Sequence, residues 1–139
     1  RINDEGIEQL RTLLSYQGID LIVIDMPAYY IHLDEAFVPV DRNKILVSTF
    51  ILPHWFLHML QERGYELIET DREDPMLTNN CIALEPGKVL FSEKGVRTAK
   101  NLEKAGIDVI PVDISEINKL GGGIHCSTLP LLRDSIQEG

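Results

Sequence analysis

The segment KLGGGIHCSTLPLLR, residues 119–133, places a cysteine closely behind a run of three glycines. A nucleophilic cysteine must be exposed, must react as a thiolate and needs a base or a cation nearby. Glycines let the backbone approach a ligand closely and expose its N–H groups. Cys126 is therefore a candidate nucleophile. The alternative is a glycine-rich turn that leads into a strand with a buried cysteine, since free cysteines are often core residues.

A second candidate site lies in HLDE, where one residue separates His32 from Asp34. Residues two apart point the same way on an extended chain, so these side chains are expected to face one site with Leu33 turned into the core. A histidine can donate and accept a proton near neutral pH, and a carboxylate can hold a cation. The alternative is a surface histidine and a turn aspartate before a hairpin.

Other familiar sites are poorly matched. His54 and His58 have the i, i+4 spacing of some helical zinc sites, but the sequence lacks the intervening glutamate of HExxH and an obvious third ligand. The glycine run lacks the Lys-Ser/Thr of a phosphate loop and the spacing of a dinucleotide fingerprint. The chain has no Gly-x-Ser-x-Gly elbow either. We therefore predict neither a metal nor another cofactor.

The composition limits the class of partner. The 139 residues suffice for one domain, and 44% hydrophobic and 25% charged residues are ordinary for a globular chain. A formal net charge of −9 argues against binding to nucleic acid. No apolar run approaches the roughly 20 residues that span a bilayer, and no signal-peptide pattern is present. We expect a small-molecule ligand and no membrane association.

The cysteines and the first residue carry two further expectations. Cys81 and Cys126 are too few for a disulfide framework, so both are predicted to be reduced in a cytoplasmic protein. The chain begins with Arg1 rather than Met, and a helical pattern starts almost at once, at Asp4. This favours a segment of a longer protein.

A repeat organises the elements that must position these residues. Gly18, Gly64 and Gly106 lie 46 and 42 residues apart, and each ends a helical pattern and opens a short apolar strand with an Asp at its far end. Before the second and third helices, AFVPVDRNKILVS (36–48) and CIALEPGKVLFS (81–92) read as hairpins. The predicted fold class is α/β, built of ββαβ units with a period of about 44 residues. Chance similarity among short segments is the alternative.

The histidine–aspartate segment and the cysteine segment together resemble a known superfamily of guanidino-modifying enzymes. HLDEAFVPVDRNKILV resembles the His-x-Asp segment of arginine deiminases and glycine amidinotransferases, and LGGGIHCSTLPLLR resembles their catalytic-cysteine segment. The stretch TNNCIALEPGKVLFSEKGVRTAKNLEKAGIDVIPVDI looks like the penultimate repeat of that family. The resemblance implies a pentein propeller of five pseudo-symmetric ββαβ units around a central site. It also implies that residues 1–139 are the C-terminal portion of one such domain.

The resemblance also implies roles for the candidate residues. Cys126 would attack the central carbon of a guanidinium group and form a covalent thiouronium. His32 would protonate the leaving amine and then activate the molecule that releases the product. Asp34 would bind guanidinium nitrogens, and the backbone of the glycines, Gly122 and Gly123 among them, would line the pocket. Asn79, Asn80, Thr128 and Arg133 lie beside this site and are equally compatible with turn and edge positions.

Three functions remain open at this stage. The first is a hydrolase of the deiminase or dihydrolase type acting on arginine or a related compound, and the second is an amidinotransferase. The third is a non-catalytic binding module, although the joint presence of Cys126, His32 and Asp34 argues against it. The segment IHCST favours the amidinotransferase and dihydrolase branches, and Asp34 argues against dimethylarginine hydrolases, which would have Lys there.

The chain also departs from the family pattern. Family members carry further acidic residues upstream of His-x-Asp, but only 31 residues precede His32 and neither Asp20 nor Asp25 can be assigned to those positions. An incomplete propeller would expose unpaired strand edges, so association with another copy of the chain is predicted.

Overall fold

The computed structural model describes residues 2–132. These residues contain two three-stranded sheets, and each sheet is an antiparallel hairpin extended by one parallel strand. The first sheet consists of β1 (Phe37–Pro39), β2 (Lys44–Val47) and β3 (Glu66–Glu69). The second consists of β4 (Ile82–Glu85), β5 (Lys88–Ser92) and β6 (Asp108–Val112). The helices are α1 (Asp4–Ser15), α2 (His54–Glu62), α3 (Val96–Lys104) and α4 (Ser115–Asn118), and 3-10 turns span Leu33–Glu35 and His125–Ser127.

The predicted ββαβ unit and the α/β class are confirmed. Helix α2 crosses from β2 to the parallel strand β3, and α3 crosses from β5 to β6 in the same way. Corresponding residues even keep the same register, because Lys44 pairs with Glu66 and Lys88 pairs with Asp108. The described residues therefore contain two complete ββαβ units. The five-unit propeller remains a prediction.

The residues that end the helix and the last strand of each unit adopt the same conformations in both units. Gly64 and Gly106 follow the two crossover helices with φ of +84° and +80°, a left-handed conformation that glycine adopts without a Cβ clash. At the far end of each following strand, an aspartate closes an Asx turn. Asp71 accepts a hydrogen bond from the N–H of Glu73 (2.9 Å), and Asp113 accepts one from Ser115 (2.8 Å). The N–H of Ser115 lowers the pKa of Asp113 from its ordinary value.

Two hydrophobic clusters form the core, one on each face of the first sheet. On β2, Leu46 faces the cluster shared with the second sheet, while Ile45 and Val47 face the cluster beneath α2. Burial on both faces explains the continuous apolar run of this strand. The shared cluster comprises Val38, Val40, Leu46, Ile68, Cys81, Val89, Phe91, Leu102 and Ile107. Since Cys81 belongs to it, the residue before it, Asn80, lies where the two units meet.

Leu102 on α3 tests this shared core. Its side chain is fully buried, so Leu102→Ala removes apolar contacts and leaves a cavity. We expect the free energy of unfolding to fall by about 2–5 kcal/mol. Val96→Ala on the same helix is the matched control, because Val96 is 54% exposed and its truncation is expected to change stability by at most about 0.5 kcal/mol. Urea denaturation of both variants provides the measurement, and equal losses would contradict the assigned packing.

The first copy of the repeat departs from the prediction. Gly18 ends α1 with φ of +67°, as expected, but the segment 19–27 that follows is not a strand. In the complete units, this strand pairs with the second strand of a preceding hairpin, and the described residues contain no such hairpin before α1. The spacing of Ile7, Leu10 and Leu14 predicts an apolar stripe on α1, but this stripe is not a core face, since the helix has no buried residue and Leu10 is 39% exposed.

The described helices are short. None of them, from residue 2 to residue 132, combines the length and the apolar character required to cross a membrane.

Candidate functional site

Cys126 lies in the 3-10 turn His125–Ser127, which one residue separates from the glycine run, and it is exposed. Its backbone N–H donates a hydrogen bond to Oδ1 of Asn80 (3.2 Å). Thr128 closes the turn, because its N–H and its hydroxyl both donate to the carbonyl of His125 (3.1 and 3.0 Å). The cysteine is therefore on an accessible, hydrogen-bonded turn, and the alternative of a buried strand cysteine is wrong.

The second cysteine has the opposite environment. Cys81 is fully buried in the shared core, and burial raises the pKa of its thiol to about 12. A thiol of this kind is unreactive at neutral pH, because the thiolate is the nucleophile. Both cysteines are free. The chain therefore combines one accessible thiol with one structural thiol.

This contrast predicts selective alkylation. We expect iodoacetamide to modify Cys126 and to spare Cys81 in the folded protein, with one adduct by intact mass and its position by peptide mapping. In concentrated urea, where Cys81 becomes accessible, both thiols should react. Modification of Cys81 under native conditions, or an unreactive Cys126, would contradict the described environments.

The HLDE segment is not extended as predicted. Leu33–Glu35 form a 3-10 turn, in which the N–H of Ala36 donates to the carbonyl of Leu33 (2.9 Å). The Glu35 carboxylate holds the entry to this turn by accepting from the N–H groups of Ile31 (2.9 Å) and His32 (2.8 Å). Leu33 is consequently 39% exposed, and its predicted burial in the core is wrong. His32 is exposed at the start of the turn.

The turn nevertheless brings Asp34 to the cysteine loop. Oδ2 of Asp34 lies 2.8 Å from Nδ1 of His125 and accepts a hydrogen bond from Nδ2 of Asn80 (3.0 Å). The side chain is 20% exposed, and its other oxygen, Oδ1, is buried without a hydrogen-bond partner among residues 2–132. The described contacts thus join Asp34, Asn80, His125 and Cys126, while His32 is two residues from Asp34 along the chain.

Sequence reasoning missed the parts played by Asn80 and His125. Asn80 is 1% exposed and touches both candidate segments, from which it is separated by 46 residues in each direction. Asp34, Asn80 and Cys126 are therefore spaced by about one repeat, and Asp34 and Asn80 each come just before a hairpin. This equal spacing is the signal that could have identified Asn80.

The glycines next to the cysteine have a packing role. A Cβ at Gly123 would lie 2.3 Å from Oδ1 of Asn80, so only glycine permits this close approach. Gly122 is held by Asn118, whose Nδ2 donates to its carbonyl (2.8 Å), and a Cβ there would come within 3.2 Å of Ile117. That these two residues line a substrate pocket stays a prediction.

Asn79 is another polar residue near the candidate site whose surroundings the structure describes. Asn79 is 2% exposed, and its Oδ1 accepts a hydrogen bond from the Thr70 hydroxyl (2.5 Å) at the end of β3. Its Nδ2 is buried without a hydrogen-bond partner among residues 2–132, and the hydrogen bonds to Asp34 and Cys126 are made by Asn80. Arg1 and Arg133 lie outside the described residues.

His54 and His58, which have the spacing of a helical zinc site, both lie on α2. The rings of His54 and His58 are 6.3 Å apart, and Nδ1 of His58 is 3.4 Å from Glu62. Within residues 2–132, no set of three His, Cys, Asp or Glu side chains is arranged to hold a metal ion. A polar groove of about 560 Å³ lies between the loop 71–75 and α3, and none of the candidate site residues lines it.

Comparison with known proteins identifies the family. The family model described as arginine deiminase matches residues 52–133, which is more than half of the chain. This chain belongs to the arginine deiminase family. The matched residues include Asn80 and Cys126, whereas His32 and Asp34 precede them.

Individual proteins and solved structures are also similar to this chain. The arginine deiminase of Mycoplasma capricolum is 26% identical over 150 residues, covering 85% of this chain and 37% of that protein. An amidinotransferase from Microseira wollei, of the saxitoxin biosynthetic pathway, has a TM-score of 0.81 at 21% identity, covering 98% of this chain and 43% of that one. Dimethylarginine dimethylaminohydrolase from Pseudomonas aeruginosa, a cysteine-to-serine mutant complexed with citrulline, has a TM-score of 0.71 at 25% identity, covering 91% and 46%.

These matches confirm the resemblance to the guanidino-modifying superfamily. This member of the arginine deiminase family spans less than half the length of the three relatives.

Proposed function

We propose that this chain carries the nucleophile and the acid/base group of a hydrolase acting on arginine or a related guanidino compound. The main support is that Cys126, an exposed thiol, lies on a turn that Asn80 connects to the Asp34 carboxylate. A guanidinium is a planar cation with N–H donors in a fork that suits a carboxylate. Asp34 would hold such a group beside the thiol, and the backbone of Gly122 and Gly123 would line the same pocket.

In the proposed reaction, the thiolate of Cys126 forms a bond from Sγ to the central guanidinium carbon. The C–N bond to the leaving nitrogen then breaks, and His32 supplies the proton with which this nitrogen departs as ammonia. The product is a thiouronium bound to Cys126. Deprotonated His32 next removes a proton from water, the water oxygen bonds to the same carbon, and the C–S bond breaks to give a ureido product and the free thiol. Two steps of this kind divide a difficult barrier.

The burial of the Asp34 carboxylate and its unused acceptor oxygen suit a cation-binding role. Its Oδ1 is buried and lacks a partner among residues 2–132, and an unsatisfied buried acceptor costs about 1–3 kcal/mol. A guanidinium N–H directed at Oδ1 would recover this free energy on binding. The opposite charge would add to that gain, because hydrogen bonds between ionised groups are roughly twice as strong as neutral ones.

An amidinotransferase is the second candidate. The segment IHCST supports it, since this pattern is more similar to the amidinotransferase and dihydrolase branches than to the usual arginine deiminase segment. The chemistry would be the same up to the thiouronium, after which an amine rather than water would attack the carbon. A non-catalytic module of the same fold is the third candidate.

We further propose that residues 1–139 are the C-terminal portion of a single five-unit propeller. The two adjacent ββαβ units, which share one core, support this arrangement. Segment 19–27 pairs with no strand among residues 2–132, and α1 has no buried residue, so both are surfaces at which further units, or another copy of the chain, could pack.

One incubation separates the three functions. The protein is mixed with arginine, with and without an amine such as glycine, quenched in acid and analysed for intact mass and small-molecule products. A hydrolase of the deiminase type yields citrulline and ammonia, a dihydrolase yields ornithine and ammonia without needing the amine, and a transferase yields ornithine and an amidinated amine only when the amine is present. Absence of both adduct and product from the complete protein that contains residues 1–139, with arginine and with other guanidino compounds, would overturn the proposal in favour of the non-catalytic module.

A further inference from the structure

Asn80 occupies the junction between the two segments of the candidate site. Its backbone carbonyl accepts hydrogen bonds from the N–H groups of Ile124 (3.1 Å) and His125 (3.3 Å). Its side chain accepts from the N–H of Cys126 (3.2 Å) and donates to the Asp34 carboxylate (3.0 Å). One buried residue therefore fixes the backbone of the cysteine turn and one oxygen of the carboxylate at the same time.

The two side-chain partners of Asn80 determine both its type and its orientation. The N–H of Cys126 needs an acceptor, and the Asp34 carboxylate needs a donor. A carboxamide offers one of each. Rotating the amide by 180° would set a donor against a donor and an acceptor against a carboxylate, so a single orientation satisfies both partners. An aspartate at this position could only accept, and it would place two carboxylates side by side.

Gly123 leaves the space that this arrangement requires. A Cβ at position 123 would lie 2.3, 2.6 and 2.7 Å from Oδ1, Cγ and Cβ of Asn80, and a real Cβ does not approach other heavy atoms this closely. Gly123 is itself buried. The glycine before the catalytic turn thus explains how the Asn80 carboxamide reaches the N–H of Cys126.

We propose that Asn80 is a positioning residue that couples Asp34 to Cys126, so that a guanidinium held by the carboxylate is presented to the thiol in an aligned pose. This inference rests on the proposed function. Alignment of this kind matters because a displacement of about 1 Å at a reacting centre can lower the rate by about 10²-fold. Asn80 itself does not take part in bond making, since its five hydrogen bonds, which include one from its own N–H to the carbonyl of Leu77 (2.9 Å), all hold protein groups.

The test compares two adjacent asparagines. Asn80→Asp keeps the size and the acceptor of the side chain, but it removes the donor to Asp34 and adds a negative charge beside Cys126. Asn79→Asp is the matched control, because Asn79 is equally buried (2% against 1% exposed) and keeps its acceptor role towards Thr70. Each substitution introduces a buried carboxylate, but only the one at position 80 lies in contact with Asp34 and Cys126.

Two measurements are made on the complete protein that contains residues 1–139: the pH profile of Cys126 alkylation by iodoacetamide, and kcat/KM for arginine. For Asn80→Asp, we expect the alkylation profile to move about one unit towards higher pH, since a nearby negative charge disfavours the thiolate. We expect kcat/KM to fall by about 10²-fold. For Asn79→Asp, both quantities should remain close to those of the unchanged protein, even where thermal stability falls.

The same alkylation profile and the same kcat/KM in both variants would overturn the positioning role. If Asn80→Asp does not fold, Gly123→Ala gives an independent reading, because the added methyl displaces the Asn80 carboxamide without changing its chemistry. Unaltered alkylation and unaltered kcat/KM in that variant would also overturn the proposal. Absence of turnover in the unchanged protein would contradict the proposed function alone, and the alkylation profiles would still decide the role of Asn80.

Discussion

Replacing Cys126 with alanine is expected to abolish the turnover of guanidino substrates while leaving the fold intact. The thiol is exposed, and the hydrogen bond that holds the turn uses the backbone N–H, which alanine retains. We therefore expect stability to change by at most about 0.5 kcal/mol. Loss of a catalytic nucleophile removes the covalent route altogether, and the rate should fall by about 10⁴-fold or more. Ammonia release and intact mass after an acid quench provide the two readouts.

The other cysteine is the matched control for this prediction. Cys81→Ala removes a buried side chain of the shared core and is expected to cost about 1–3 kcal/mol of stability. It should nevertheless retain the covalent adduct and most of the rate. Cys126→Ala should therefore lose activity and keep its stability, whereas Cys81→Ala should lose stability and keep most of its activity. A mass adduct that persists in Cys126→Ala, or normal turnover in that variant, would contradict the nucleophile assignment.

The repeat could be predicted because its signals are local. Gly64 and Gly106 end helices through their own backbone conformation, and Asp71 and Asp113 close turns with N–H groups two residues away. Neither feature depends on the rest of the fold. The hairpins and crossover helices between these markers therefore followed from spacing and periodicity.

The strand expected after Gly18 shows where this reasoning fails. Its sequence pattern is similar to those of β3 and β6, but these strands exist because β2 and β5 provide parallel partners. A strand is defined by backbone hydrogen bonds to a neighbour, and strand propensity depends strongly on that context. The pattern around residues 19–27 therefore predicted an element whose partner is absent from the described residues.

Residue types and spacing were enough to propose members of the candidate site, but not the contacts between them. Cys126 and Asp34 followed from chemistry and spacing, but an extended HLDE segment was the wrong geometry, because Glu35 holds the chain in a turn. Asn80 could not be assigned from its neighbours, since TNN reads as an ordinary turn. Its significance depends on contacts 46 residues away in both directions, which the packing of one repeat against the next brings together.

His32 is expected to be the second residue whose loss strongly lowers turnover. General acid–base catalysis contributes about 10²- to 10⁴-fold, so His32→Ala should lower the rate of ammonia release by a factor in that range. The thiouronium should still form slowly and then persist, because no group remains to activate the releasing water. Intact mass should accordingly show a higher fraction of adduct than in the unchanged protein, and the limb of the pH–rate profile due to an imidazole should disappear.

Two other histidines make this prediction specific. His58→Ala alters an exposed side chain on α2 that is paired with Glu62, and it should leave the rate unchanged. His125 is the informative comparison, because it is next to Cys126 in sequence and its Nδ1 is 2.8 Å from Asp34. An imidazole nitrogen this close to a carboxylate is suited to holding that carboxylate in place, so His125→Ala should mainly raise KM. If His125→Ala accumulates the adduct and His32→Ala does not, the acid/base role belongs to His125, and Asp34 serves as its partner rather than as the group that binds the guanidinium.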